Sequence, residues 1–533
     1  MGFLTKYMKI TTLFRRAPIS ANVDILYRHF DREASSLIKK TSKAMFAIQG
    51  VEDPLYYGLF SMISVDVRQR IESSGRLVVT RSVNAWIGSG FVAFVMRSSL
   101  IGWLISSQWL RINRRVVGGV GYRSQSFNYP FSDMYDFWCA YKLWRELKNE
   151  KDIAKLVIRD ILVGDLVIDS YLRFRPSPYF LMKDRFSLRV LWQAHRDVRR
   201  AYDFFSKCKP SFYLSSYTTY INHGISVRVA LKLGVPVYLG TSAFVFGKKL
   251  SLDDYFHTPD TSSYAPGFEA LDLQEEKLTR AEVQLKHRFS GGVDEATYYL
   301  KNSPYALSGE EVPNVKGAVV IFLHDFYDSP HVHDEFIFPD FWSWICFTID
   351  TLTQSGISCW VKPHPAVSLS DDGMQLLLQH YPHLQMLSGR INNIQLVEGG
   401  MICGVTAYGT VAHELAYLGV PSICCAKHPH ISFDFCRTAK TLDKYKNFLQ
   451  TPTIQPLPVK EMQRQALAFL YMHNIHCGED NMDLRRQFTT WTKEVEDVES
   501  TQLLQVLLKF RTLPAYSKLI NDLVNEIQIR DVS

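Results

Sequence analysis

Five short segments hold the side chains from which chemistry could be built. The first, Trp360-Val361-Lys362-Pro363-His364-Pro365, places a lysine and a histidine two residues apart. Prolines fix the backbone on both sides of the histidine. A rigid cationic and hydrogen-bonding pair suits a phosphate. The bland alternative is a turn that contains a histidine. The second segment runs from Cys403 through Thr406, Tyr408, Gly409 and Thr410 into Val411-Ala412-His413-Glu414. Small and hydroxyl residues between a strand and a helix suit an anion, because a helix start presents unbonded N–H groups. Glu414 is four residues after Thr410 and shares its helix face. Threonine capping accounts for the hydroxyls but gives Glu414, inside an apolar stretch, no partner.

The third segment, Leu323-His324-Asp325-Phe326-Tyr327-Asp328-Ser329-Pro330-His331, has two histidines and two aspartates. Their spacing matches no metal template, so a ligand-binding loop is the expectation. In the fourth, Asp165, Asp169 and Arg173 follow at intervals of four residues, on one face of a helix. They read either as a surface ladder of ion pairs or as a carboxylate serving as base or nucleophile. The fifth, Tyr220-Ile221-Asn222-His223-Gly224, offers His223 as acid, base, phosphate contact or cap.

The elements that must position these residues alternate. Strands are expected at Leu77–Thr80, Phe212–Ser215 and Val235–Leu239, with a helix over Asn222–Leu233 stopped by Gly234. A buried helix is expected over Phe91–Leu110, where Arg97 argues against a membrane span, and a glycine turn over 118–121. Residues 247–315 show no such alternation. Glu275–Phe289 reads as an exposed helix in a linker. A second block follows, with strands at Ala318–Leu323, Ile357–Val361, Leu384–Leu387, Gly400–Val405 and Val420–Cys425. Helices around Phe341–Gln354, Asp371–His380 and Gly409–Leu418 separate them, and the chain is helical from Thr441. The expected fold is α/β, with two doubly wound Rossmann-like blocks, 1–245 and 316–440, linked by 246–315 and followed by a helical tail, 441–533. Ligands then belong at the carboxyl ends of strands. No GxGxxG opens a helix, and no P-loop is present.

Bulk properties agree. Of 533 residues, 47% are hydrophobic and 21% charged, which excludes a disordered chain, a collagen and a coiled coil. The length exceeds a single core of about 250–300 residues. Nine scattered cysteines, an odd number without a Cys-x-x-Cys pair, fit a reducing cytosol and argue against a disulfide framework or a zinc site. The N-terminus lacks the pattern of a signal peptide. Residues 1–130 hold 18 Lys+Arg against 7 Asp+Glu, so the basic excess is N-terminal and suits an anionic partner. No nucleic-acid-binding signature accompanies it, and no nucleic-acid partner is expected.

The Lys362-Pro363-His364-Pro365 loop, followed by Thr406–Thr410 and His413-Glu414-Leu415-Ala416-Tyr417-Leu418-Gly419-Val420-Pro421, resembles the C-terminal half of bacterial capsule and O-antigen glycosyltransferases. The nearest group is the Kdo (3-deoxy-D-manno-octulosonate) transferases. Gly164–Phe174 and Thr218–Tyr238 also resemble their first-domain segments. The resemblance implies a GT-B fold, two facing Rossmann-like domains with the nucleotide sugar on the second. It implies that His364 holds the CMP phosphate beside Lys362, and that Thr406, Gly409 and Thr410 assist while Glu414 takes the ribose. His324, Asp325 and Tyr408 complete the expected donor set. Asp165 or Asp169, with His223, is the expected catalytic group.

The function expected from this resemblance is metal-independent transfer of Kdo from CMP-Kdo to a glycan or lipid-linked glycan in surface polysaccharide synthesis. No cofactor is expected beyond the nucleotide-sugar co-substrate. The location would be cytoplasmic, with the basic N-terminal part meeting the anionic inner membrane. The alternatives are a CDP-glycerol-type polyol phosphate transferase and a non-catalytic glycan- or lipid-binding assembly protein.

Overall fold

The structure is a computed structural model. It describes residues 44–49, 54–73, 78–83, 130–175, 177–241, 244–292, 305, 310–364, 371–476, 483–488 and 500–532, with isolated positions between 25 and 33 and position 490. The helix expected over Phe91–Leu110 and the glycine turn after it lie outside these residues, as does Pro365.

The first sheet has the order β2-β1-β5-β6-β7. Its strands are β1 (Ala44–Gln49), β2 (Val78–Val83), β5 (Tyr213–Ser215), β6 (Val237–Leu239) and β7 (Lys249–Leu250); a separate hairpin pairs β3 (Val157–Ile158) with β4 (Ile161–Leu162). All neighbours in the sheet are parallel except β6 and β7. The sequence reading missed β1, because Ala-Met-Phe-Ala-Ile is apolar on both faces and shows no period. Gly234 ends the preceding helix at φ +70, the left-handed conformation that stops a helix at low cost.

The second sheet is wholly parallel, with the order β10-β9-β8-β11-β12-β13. It comprises β8 (Val319–Phe322), β9 (Cys359–Lys362), β10 (Gln385–Met386), β11 (Cys403–Val405), β12 (Ser422–Cys424) and β13 (Arg437–Thr438). β8 lies at the centre and all four of its residues are buried, as expected of an unbroken β-branched run with elements on both faces. In each sheet the strand order reverses once, between β1 and β5 and between β8 and β11. Loops leaving adjacent strands diverge at these reversals and open a crevice.

Two sequence expectations change. The helix Gln274–Phe289, expected to be exposed, buries Leu278, Ala281, Leu285 and Arg288. Their spacing of three, four and three residues is one helix face, hidden in the sequence by the charges between them. This face joins Ala412, Ala416 and Phe469 in a shared core. The C-terminal residues are divided between the sheets. Tyr445 and Leu449 pack into the core of the second. Leu507, Phe510, Leu519 and Ile520 pack with Phe46, Phe60 and Ile63 of the first. Arg511, ion-paired with Glu33 and Asp66, ties the last helices there. Among the described residues, no helix is long and apolar enough to cross a membrane.

Candidate functional site

A cavity of about 420 Å³ opens where β8, β9 and β11 end, at the reversal of the second sheet. Eight of the nine residues expected to bind a donor line it: His324, Lys362, His364, Thr406, Tyr408, Gly409, Thr410 and Glu414. Parallel neighbours end at the same level, which is why residues 40 or more positions apart converge. Asp325 does not line the cavity. Its Oδ1 instead accepts the N–H of Tyr327 at 2.9 Å and so shapes the loop after β8.

Lys362 closes β9 with 7% of its surface exposed. Its Nζ reaches Asn393 Oδ1 at a long 3.5 Å and lies 5.6 Å from the centre of the Phe322 ring. Burial pulls its pKa down to about 8, against a smaller upward pull from Glu414. Among the described residues this ammonium makes no direct ion pair, and a buried charge so placed suits an anion. The next histidine, His364, is also held below its ordinary pKa, by burial against the opposing pulls of Asp325 and Asp328, with a smaller downward push from Lys362. It therefore stands as a neutral imidazole beside the ammonium.

Thr406 shapes the β11 loop. Its Oγ1 accepts the Gly409 N–H at 3.1 Å and bonds His324 Nε2 at 3.1 Å. A Cβ on Gly409 would sit 2.7 Å from that oxygen, so glycine is needed for the close approach. His324 stacks on Phe341, with ring centres 4.8 Å apart, and leans on Tyr408 at 4.4 Å. Burial pushes its pKa down to about 3, so it is neutral. The following helix is Val411–Tyr417, shorter than the span expected, and Thr410 precedes it without a side-chain cap bond.

Glu414 is not partnerless, as its apolar surroundings suggested. Its Oε1 accepts from Arg288 at 2.9 Å, and its Oε2 accepts from Tyr305 Oη at 2.5 Å and Asn393 Nδ2 at 2.7 Å. Burial raises its pKa, but Arg288, His413 and the hydrogen bonds together outweigh burial and hold it ionised. Asn393 thereby connects Glu414 to Lys362.

The helix Gly164–Phe174 separates its two aspartates. Asp165 takes a two-pronged ion pair from Arg228, with Nη1 at 2.7 Å from Oδ1 and Nη2 on Oδ2. Burial opposes its charge, yet Arg228 prevails and keeps its pKa low. Asp169 is 1% exposed, with Oδ1 2.7 Å from His331 Nδ1 and no hydrogen-bond partner for Oδ2 among the described residues. Burial pushes Asp169 up to about 6, against the pull of His331. The surface-ladder reading therefore fails: both carboxylates turn inward, and their partners come from other elements. His331 belongs to the loop after β8 that also brings His324 and His333 to the cavity.

His223 stands at the other reversal, between β1 and β5. Gln49 Oε1 accepts the Ser216 N–H at 2.8 Å, which fixes its amide so that Nε2 donates to His223 Nδ1 at 2.5 Å. The imidazole proton is therefore on Nε2. Burial pulls the pKa of His223 down to about 4.

Sequence reasoning missed Arg288, Tyr305 and Asn393. Arg288 and Tyr305 lie in the stretch read as linker, and only the helix-face spacing ending at Arg288 could have signalled either. Asn393 begins a six-residue helix after an Asn392–Gln395 capping box, which reads as structure alone.

No protein-family model matches the chain, and no curated protein matches it. Among solved structures the chain is similar to the UDP-GlcNAc 2-epimerase from Neisseria meningitidis bound to UDP-GlcNAc. That likeness spans 79% of this chain and 97% of the epimerase, at 9% identity and a TM-score of 0.18. A likeness at that score carries no argument, so the resemblance to the Kdo transferases rests on the motifs quoted above.

Proposed function

We propose that the chain is a glycosyltransferase of GT-B architecture that takes its sugar from a nucleotide donor, with CMP-Kdo as the first donor to test. The single observation that carries this reading is Lys362, a buried ammonium in the cavity whose hydrogen bond to Asn393 is long. A nucleotide phosphate supplies the missing negative charge, with His364 donating beside it. Phe244, Tyr408 and Phe469 line the same space and offer apolar faces to a base. Arg288 and Glu414 neutralise each other, which leaves Lys362 as the cation for the leaving group.

Asp169 is the carboxylate assigned to the reaction, since Asp165 is occupied by Arg228. As a base, Asp169 takes the proton of the acceptor hydroxyl while the new oxygen–carbon bond forms at the anomeric carbon. The bond from that carbon to the phosphate oxygen breaks, and CMP leaves with its charge held by Lys362 and His364. As a nucleophile, its unpartnered oxygen attacks the anomeric carbon, the same bond to the phosphate oxygen breaks with loss of CMP, and the acceptor hydroxyl then displaces the carboxylate from the glycosyl-enzyme, giving up its proton as the new bond forms. His223, at the reversal of the first sheet, is assigned to the acceptor side, where its Nε2–H can donate.

The test is a donor panel of CMP-Kdo, CMP-sialate, UDP-sugars and CDP-glycerol, with calorimetry for binding and mass spectrometry for nucleotide release and any adduct on Asp169. Release of CMP from a CMP-linked sugar is expected. Turnover of CDP-glycerol alone would move the protein to the polyol phosphate transferases. Absence of binding by every donor would leave the non-catalytic assembly reading.

A further inference from the structure

The loop from the end of β12 to β13 gathers Cys424, His428, His430 and Cys436 so that one ligand atom of each lies within 4.8 Å of the others. All four are buried, with Cys424 and His430 wholly enclosed. Cys424 Sγ lies 3.3 Å from Cys436 Sγ and 4.0 Å from His430 Nε2. The rings of His428 and His430 stack with centres 3.7 Å apart. We propose that these four side chains bind a structural zinc ion, which pins the wall of the cavity that Pro429 supplies.

Three observations support a metal over plain packing. Two thiols and two imidazoles are the soft and borderline ligands that select tetrahedral zinc, and four protein ligands leave no open position for catalysis. Next, His428 Nε2 bonds Thr438 Oγ1 at 2.6 Å, while His428 Nδ1 has no hydrogen-bond partner among the described residues. An outer bond that fixes one ring nitrogen and leaves the other as a lone pair is how metal-binding histidines are held. Finally, the charges balance. On binding, each thiol loses its proton to solvent, and two thiolates cancel the charge of Zn²⁺ in a site that excludes water. Sulfurs on a tetrahedral zinc, at about 2.3 Å from the metal, stand about 3.8 Å apart, so the pair need open by only about half an ångström.

The spacing is Cys-x3-His-x-His-x5-Cys. The sequence holds no Cys-x-x-Cys pair, and the sulfurs meet because the loop returns its end beside β12 in the parallel sheet.

The experiment is elemental analysis of the untagged full-length protein, expressed with zinc in the medium and purified with a reductant and without chelator. One zinc per chain is expected. Exchange with cobalt should give tetrahedral ligand-field bands with thiolate charge transfer. The double variant Cys424→Ala/Cys436→Ala should lose both signals, and His428→Ala is the second variant should the first fail to fold. A metal-free native protein would overturn the proposal, as would a Cys424–Cys436 disulfide in a non-reducing digest. Undiminished zinc in a folded double variant would also overturn it. None of these readouts depends on donor turnover.

Discussion

Asp169 Oδ1 rests 2.7 Å from His331 Nδ1, while Asp165, one turn earlier on the same helix, is clamped by Arg228. Identical side chains four residues apart thus have different partners. Asp169→Asn should lower turnover by about 10²–10⁴-fold while the thermal midpoint holds, because the amide oxygen can still accept from His331 Nδ1 and that imidazole, unlike a guanidinium, can shed its proton. Asp165→Asn leaves Arg228 buried and unpaired and should cost about 3–5 kcal/mol of stability in denaturant unfolding. A reversed outcome, with Asp165→Asn folded normally but inactive, would transfer the catalytic role to Asp165.

Two shifted groups bracket the expected pH range of activity. In the proposed mechanism Asp169 acts without its proton, and burial sets its pKa at about 6. In the same mechanism Lys362 holds phosphate with its proton on, and burial sets its pKa at about 8. A plot of kcat/KM against pH should therefore rise through the first value and fall through the second. Stability follows the opposite course. The folded state keeps Asp169 protonated up to about 6, whereas the ordinary value is 3.8, so this group's contribution falls as pH rises between them. The folded state releases the Lys362 proton near 8 rather than 10.5, so its contribution rises with pH across that window. A profile flat from pH 5 to 9 would remove both groups from the mechanism.

Lys362→Met replaces the buried ammonium with an apolar chain of similar length. Without ligand at pH 7, the variant should be more stable than the parent by on the order of 2 kcal/mol, since a desolvated charge is removed. Donor affinity should fall on the order of 100-fold by calorimetry. A residue held for packing alone would not combine a rise in stability with a loss of donor affinity.

Gly409→Ala drives a methyl group against Thr406 Oγ1, 2.7 Å from where the Cβ must lie. The loop must shift, at a cost of about 1–3 kcal/mol, and the Thr406–His324 bond shifts with it. Donor affinity should drop with it. Thr410→Ala, which loses no cap bond, should leave the midpoint unchanged and report only the hydroxyl's own contact with donor. Equal midpoints for Gly409→Ala and the parent would show that the close approach is not needed.

Much of this was legible in the chain itself. Local rules placed the alternating elements of the second sheet, since β-branched runs, glycine stops and prolines act on their near neighbours. They also placed Lys362, His364 and the Thr406–Thr410 loop at strand ends, where the cavity lies. Sequence could not tell Asp165 from Asp169. Their difference comes from Arg228 and His331, 63 and 162 positions away, and only folding sets those distances. The partners of Glu414 and the meeting of Cys424 with Cys436 were decided in the same way. Short-range backbone preferences determined the elements, whereas burial and charge pairing, which set each pKa and each unmet bond, exist only after distant segments pack together.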